Sequence, residues 1–407
     1  MSNFDKHFKT KISIFLFFLS VSIFPQTKTF IQDYSYASSK VDSKNISCAI
    51  ALHQVRTLLL TDVETFLEKE DNLSKFGIPD SLSQDFDKSI KCIISWVTDI
   101  NILESRWIGT EYFIKASLTI TQATLGKRIS IFLEQKNSLS EFEEDYLKTE
   151  EAFLGINGLQ ERFATSTAEK EKSSIRRQYI TLTNLITASD YLHKSYSKFL
   201  DNEFDKSILY CKKAIEYGSN SALTYNIIGL ENYFKGNNDE AINFYEKAIK
   251  LNPMSALVYS NMGLVFIKKA NFDKAISCFG KAISLDSNFA VAYDNMGLGN
   301  YYKGNNNEAI DLYEKAIKLN PKSALAYSNM GLVYFRKAKF DTAISCFEKA
   351  IELNPKLAVA YYNLGYTYLD RYNFKMAIPP FEKAANLGYV GAREWIKKIK
   401  ALDKLLK

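Results

Sequence analysis

The chain has 407 residues, a formal charge of +6, 46% apolar residues and 24% charged ones. That balance excludes wholesale disorder and a polytopic membrane protein, and the length suggests two or three domains. Seven Pro and 17 Gly point to helices, and three His leave little room for metal or acid–base chemistry.

Lys6, Lys9 and Lys11 precede Ile12 to Phe24, a run of 13 residues of which ten are apolar. A bilayer-spanning helix needs about 20 apolar residues. A basic start with an apolar run of this length reads as a secretory signal peptide over 1–24. An uncleaved anchor or a buried strand are the alternatives. The first cysteine is Cys48, too far along for lipid attachment at a cleavage site. Export places the mature protein in the periplasm or cell envelope, with no membrane span after cleavage. Its net charge then falls to about +4, and the tail 391–407 carries about that much alone. A nucleic-acid binder needs a broad basic face, so no nucleic-acid partner is expected.

Residues 29–39 alternate as a strand, and 42–70 follow with apolar residues at helical steps, from Ile46 to Leu67. Pro79 marks a loop, and 84–96 read as a second helix. Residues 97–104 and 112–120 read as strands, with 105–111 as the hairpin between them. These make a small α+β domain over 29–122. Its Trp107-x-Gly109-x-x-Tyr112 hairpin and Lys115-Ala116 resemble small domains at the N-terminus of exported bacterial envelope proteins. Residues 125–187 contain no Pro and read as a helical hairpin or a coiled-coil connector, with the best internal break at the polar run Thr165–Lys172.

From there the sequence repeats every 34 residues. Gly229, Gly263, Gly297, Gly331 and Gly365 keep that step, as do Ala241, Ala275, Ala309, Ala343 and Ala377. Ala248 to Ala384 and Tyr225 to Tyr361 form two further series. Pro253, Pro321 and Pro355 close three of the units. Residues 236–270 and 304–338 agree at 27 of 35 positions, which suggests duplication of a two-unit block. Each unit has two apolar helical stretches broken by Gly-Asn-Asn, Ala-Asn or Ala-Lys. The small residues let the two helices approach, and Asn-Pro ends the second one. No unit buries its apolar face alone, so units stack.

This pattern resembles the tetratricopeptide repeat (TPR) over 188–391, as five regular units after a degenerate first one that has Ser195 in place of Gly. The fold class is therefore an α+β N-terminal domain followed by an all-α TPR superhelix, an α-solenoid. Residues 392–407, with Trp395, Ile396, Ile399, Leu402 and Leu405 on one side, read as its capping helix. Pro379-Pro380 fall inside the last unit's second helix, where a kink or a late start is expected.

Candidate chemistry is sparse. His7, His53 and His193 are far apart in sequence, and no zinc, phosphate-loop or nucleophile-elbow motif occurs. No catalytic residue, metal or cofactor is assigned, and the chain reads as a non-enzyme. Cys211, Cys278 and Cys346 are expected as buried thiols, and only Cys48 and Cys92 are left as a possible pair. The better lead is a ladder of Asn261, Asn295, Asn329 and Asn363, again 34 apart. The resemblance places it in the concave groove of the superhelix. An amide both donates and accepts, so such a ladder suits an extended peptide backbone. Lys268, Tyr301, Phe335 and Arg336 are expected on the same face, offering contacts to side chains or a carboxylate. The favoured reading is a scaffold that binds an extended peptide or helix of a protein partner. The alternatives are a structural, self-assembling envelope component and an enzyme whose site lies in the N-terminal domain.

Overall fold

The computed structural model describes residues 27–38, 42–69, 86–121, 124–125, 128–129 and 139–405. The expected signal peptide and the loop at Pro79 lie outside them. The chain forms two compact units that divide after Lys235.

The first unit begins with strand β1 (Thr27–Ala37), helix α1 (Lys44–Lys69), helix α2 (Phe86–Val97) and strands β2 (Ile100–Ile108) and β3 (Glu111–Thr121). The strands form an antiparallel sheet in the order β1-β3-β2. Alternate residues of β3, Ile114, Ala116, Leu118 and Ile120, are buried, on the side where α1 lies across β1 and β3. Helix α1 answers with Ile46, Ile50, Val55, Leu59, Val63 and Leu67, all buried at helical steps. By length and composition α1 could cross a membrane, but over half of that stretch is buried in this unit.

The hairpin is tighter than the sequence suggests. Both strands continue through Trp107 and Tyr112, leaving a two-residue turn at Gly109-Thr110. Gly109 takes φ +62°, the value a type II′ turn requires at its first central position. A bulge between Ile102 and Glu104 shifts the register, which is why simple alternation loses β2 there.

Two long helices follow, α3 (Leu139–Thr165) and α4 (Glu169–Leu200), packed on each other as a hairpin. Helix α4 runs unbroken across 187/188, so one 32-residue helix packs on the N-terminal helices and also serves as the first helix of the degenerate repeat. Helices α5 (Phe204–Glu216) and α6 (Ala222–Lys235) complete this unit.

The second unit is a run of paired helices: α7 (Asn238–Leu251), α8 (Ala256–Lys268), α9 (Phe272–Leu285), α10 (Ala290–Lys303), α11 (Asn306–Leu319), α12 (Ala324–Arg336), α13 (Phe340–Leu353), α14 (Ala358–Asp370), α15 (Phe374–Asn386) and α16 (Val390–Leu405). The glycine series has a direct cause. A Cβ on Gly263, Gly297 or Gly331 would stand 2.5–2.8 Å from the ring of Phe279, Tyr313 or Phe347. Each ring is fully buried against the glycine's helix. The turns within the units repeat as well: Asn202, Gly236, Ala270, Gly304, Ala338 and Tyr372 all take positive φ, between 54° and 94°. Four of the six are not glycine, and each such residue costs about 1–2 kcal/mol in this conformation.

The proline pair does not delay its helix. Helix α15 starts at Phe374, the place of Phe272 and Phe340, with the Asn373 side chain accepting from Met376 N at 3.2 Å. The helix continues through Pro379 and Pro380. The carbonyls they leave unpaired belong to Lys375 and Met376, both exposed, so water can take the place of the missing donors. At the end, Trp395, Ile396 and Ile399 of α16 pack with Tyr362, Phe381 and Tyr389. All five cysteines are free; Cys48 contacts the Tyr112 hydroxyl at 3.3 Å instead of pairing with Cys92. Cys211, Cys278 and Cys346 are buried.

Candidate functional site

The four ladder asparagines stand on α8, α10, α12 and α14, one turn or less from the glycines that seat the aromatic rings. Asn295 is buried, while Asn261, Asn329 and Asn363 are half-buried. Two of the amides are tied sideways to the preceding first helix. Asn295 Nδ2 donates to Ser260 Oγ at 3.4 Å, and Asn329 Nδ2 donates to both oxygens of Asp294 at 3.2 and 3.4 Å. Asn363 Nδ2 is buried with no hydrogen-bond partner. Burial raises the Asp294 carboxyl to about 6, and the Asn329 bond pulls the other way. The ladder is thus a lateral chain of polar contacts along the array as well as a row of amides.

Of the flanking residues, Tyr301 and Arg336 come together. The Arg336 guanidinium lies 3.6 Å from the Tyr301 ring centroid and donates to the Tyr301 carbonyl, a cation–π stack. Phe335 is half-buried and meets Phe340 and Tyr366 edge-on, each at 5.7 Å. Lys268 and Arg336 are exposed.

A second constellation, which sequence reasoning missed, lies in the first unit. Arg56 of α1 reaches α4 and is buried there. Its Nη2 donates to Asp190 Oδ1 at 2.6 Å, and its Nη1 stands 3.1 Å from His193 Nδ1. Lys194 Nζ donates to the other Asp190 oxygen at 2.7 Å. Burial works against the Asp190 charge, yet Arg56 and Lys194 outweigh it and hold the carboxyl below its usual range. His193 is pushed well below its usual value, first by burial and then by Arg56. A guanidinium only donates, so His193 Nδ1 accepts and its ring hydrogen sits on Nε2. Nearby, His53 Nε2 is 3.4 Å from Glu150 Oε1. Arg56 and His193 are thus joined across 137 residues of sequence, and both histidines border the same cavity. The available signal was Asp190-x-x-His193-Lys194 on one face of a helix, together with Arg56 on an otherwise apolar one. These side chains border a cavity of about 520 Å³ between α1, α3 and α4. Among the described residues no group of His, Cys, Asp and Glu could hold a metal ion.

Family models described as TPR repeat match residues 229–270 and 297–338, and models described as tetratricopeptide repeat match 256–289, 324–357 and 346–378. The helical half of this chain is accordingly an array of tetratricopeptide repeats. No curated protein matches the sequence. Among solved structures, the chain is similar to MamA, with 31% identity over 41% of this chain and 97% of that one, at a TM-score of 0.35. It is similar to YrrB, described as a TPR protein with an unusual peptide-binding site, with 25% identity over 46% and 97% at 0.35. A tetratricopeptide repeat protein from Parabacteroides merdae shares 18% identity over 62% and 99%, at 0.46.

Proposed function

We propose that the array is an interaction scaffold whose asparagine face takes an extended peptide or a helix of a protein partner. The supporting observation is the repetition of one amide at one place on consecutive first helices, Asn261 to Asn363. The lateral bonds of Asn295 and Asn329 fix their amide planes and leave each carbonyl oxygen able to accept a backbone N–H. The Tyr301–Arg336 stack and exposed Lys268 add a cationic and aromatic flank suited to an acidic or aromatic side chain. We further propose export by residues 1–24 and work in the periplasm or cell envelope, on the strength of the basic and apolar pattern there.

The same lateral bonds favour a second reading, in which the ladder staples neighbouring repeats and the array is purely structural. One experiment separates the two. The mature chain and its variant with all four asparagines changed to Ala are both panned against a displayed peptide library. Peptides enriched by the first and lost by an equally stable variant support the groove. Unchanged enrichment moves the site elsewhere, and a variant that only melts earlier supports the staple. Mass spectrometry of the N-terminus after secretion checks export, and an intact Met1 in the cytoplasm removes it.

A further inference from the structure

The cavity of the first unit, at about 520 Å³, falls in the size range of small-molecule sites. Its charged side chains already stand in contact with groups of opposite charge. Arg56 and Lys194 share Asp190, His53 faces Glu150, and Arg176 donates to Glu169 at 3.0 Å. A charged ligand would have to break one of these pairs or remain unpaired in a half-enclosed space. Much of the wall is apolar, from Ala49, Leu52, Leu60, Ile180 and Ile186.

The polar part of the wall has a definite sense. A hydroxyl has one hydrogen. Thr57, Thr149, Thr183 and Thr187 each give theirs to the carbonyl four residues earlier, at 2.8–3.1 Å. Ser95 gives its own to Cys92 O and Ser189 to Asp145. Their oxygens therefore present lone pairs only. Against these acceptors stand two buried ring nitrogens without a hydrogen-bond partner, His53 Nε2 and His193 Nε2, and the latter carries the ring hydrogen because Nδ1 faces Arg56. His193 is 5% exposed and lines the cavity. A donor left unmade in such a place costs free energy that a ligand acceptor would recover.

We propose that this cavity binds a small neutral molecule, apolar except for an adjacent carbonyl acceptor and N–H donor, as in a hydrophobic secondary amide. The carbonyl accepts from His193 Nε2, the N–H donates to a threonine oxygen, and the apolar body lies against Leu52, Leu60 and Ile186.

N-Cyclohexylbenzamide serves as the probe, with 4-cyclohexylbenzoate and N-benzylcyclohexylammonium as charged analogues of similar size. Binding to the full mature chain is followed by calorimetry. It is followed in parallel by Trp96 emission in a Trp107→Phe, Trp395→Phe background, since the Trp96 ring lies 4.1 Å from that of His193. Saturable one-to-one binding of the amide is expected, at least tenfold tighter than either analogue. Ala49→Trp, which fills the cavity, should abolish it. Should that variant lose its fold, Thr187→Trp from the opposite wall takes its place. No saturable binding of the amide, equal binding by a folded filled variant, or tighter binding of a charged analogue would each overturn the proposal.

Discussion

The first repeat and the later ones solve the same packing problem with different chemistry. In a regular unit Gly331 lies against the Phe347 ring and Ala343 is fully buried beside it. At the same three places the first repeat has Ser195, Cys211 and Ser207, all fully buried. The ring is gone, and its volume is refilled by the larger Ser195 and by Glu231, which stands where α8 and α12 carry the buried Val265 and Val333. Ser195 Oγ lies 2.9 Å from both Ser207 Oγ and Cys211 Sγ, and Ser207 donates to the Ser195 carbonyl at 2.7 Å. Ser207 Oγ also touches the Glu231 carboxyl. Burial raises the Glu231 carboxyl to about 8 against the pull of the Ser207 bond, and so keeps it largely protonated near neutral pH. Repeats thus tolerate a polar core only when several positions change together, because a lone small residue leaves a void and a lone carboxylate leaves an unpaired charge.

That contrast can be broken experimentally. Phe347→Ala should be the most damaging change, costing about 3–5 kcal/mol, because nothing nearby is placed to fill the space under Gly331; urea denaturation reads it. Next comes pH. The folded state holds Glu231 protonated and the unfolded chain does not, so its contribution is complete below about 4.5. It is lost as pH rises through about 8, at up to about 1.4 kcal/mol per pH unit. Asp145 and Asp294 are raised only to about 6, so Glu231→Gln should flatten the melting temperature between about pH 6 and 8. A variant with the native slope there would contradict the protonated carboxyl.

Cys211→Phe alone should cost about 1–3 kcal/mol by overpacking. The same change made with Ser195→Gly, Ser207→Ala and Glu231→Val should cost little, since the set rebuilds a regular unit. Equal losses for the single and the fourfold variant would show that the four positions are not coupled. The smallest effect expected is a gain. Ala338→Gly should stabilise by about 1 kcal/mol, since Ala338 holds φ 55° in a turn where the matching residue Gly304 holds 94°. No gain in melting temperature would mean that the turn is not strained.

The candidate sites were legible to different degrees. Gly331 and Ala343 are 12 residues apart within one unit, and the unit recurs, so the helix pair and its small residues could be read directly, whereas the seat of the Phe347 ring against Gly331 appears only in the structure. The asparagine face could be named for the same reason. Its lateral bonds could not, because Ser260 and Asp294 look like ordinary helix residues until the helices are set side by side. The proline pair does not delay the helix start, because the cost of Pro depends on which carbonyls it leaves open, and here they belong to the exposed residues Lys375 and Met376. The β2–β3 hairpin was blurred by a bulge that breaks alternation.

The sequence by itself determined the repeat length, the alternation of paired helices, the series of small residues between them and the order of strands and helices in the N-terminal domain. All of these rest on interactions within about one unit or on a period of two or 3.6 residues. Only the tertiary structure decided that Arg56, Asp190, His193 and Glu150 meet around one cavity. Residues 137 apart carry no periodic signal. What joins them is the packing of α1 against α4, which buries a charge beside its partner only once both helices are in place.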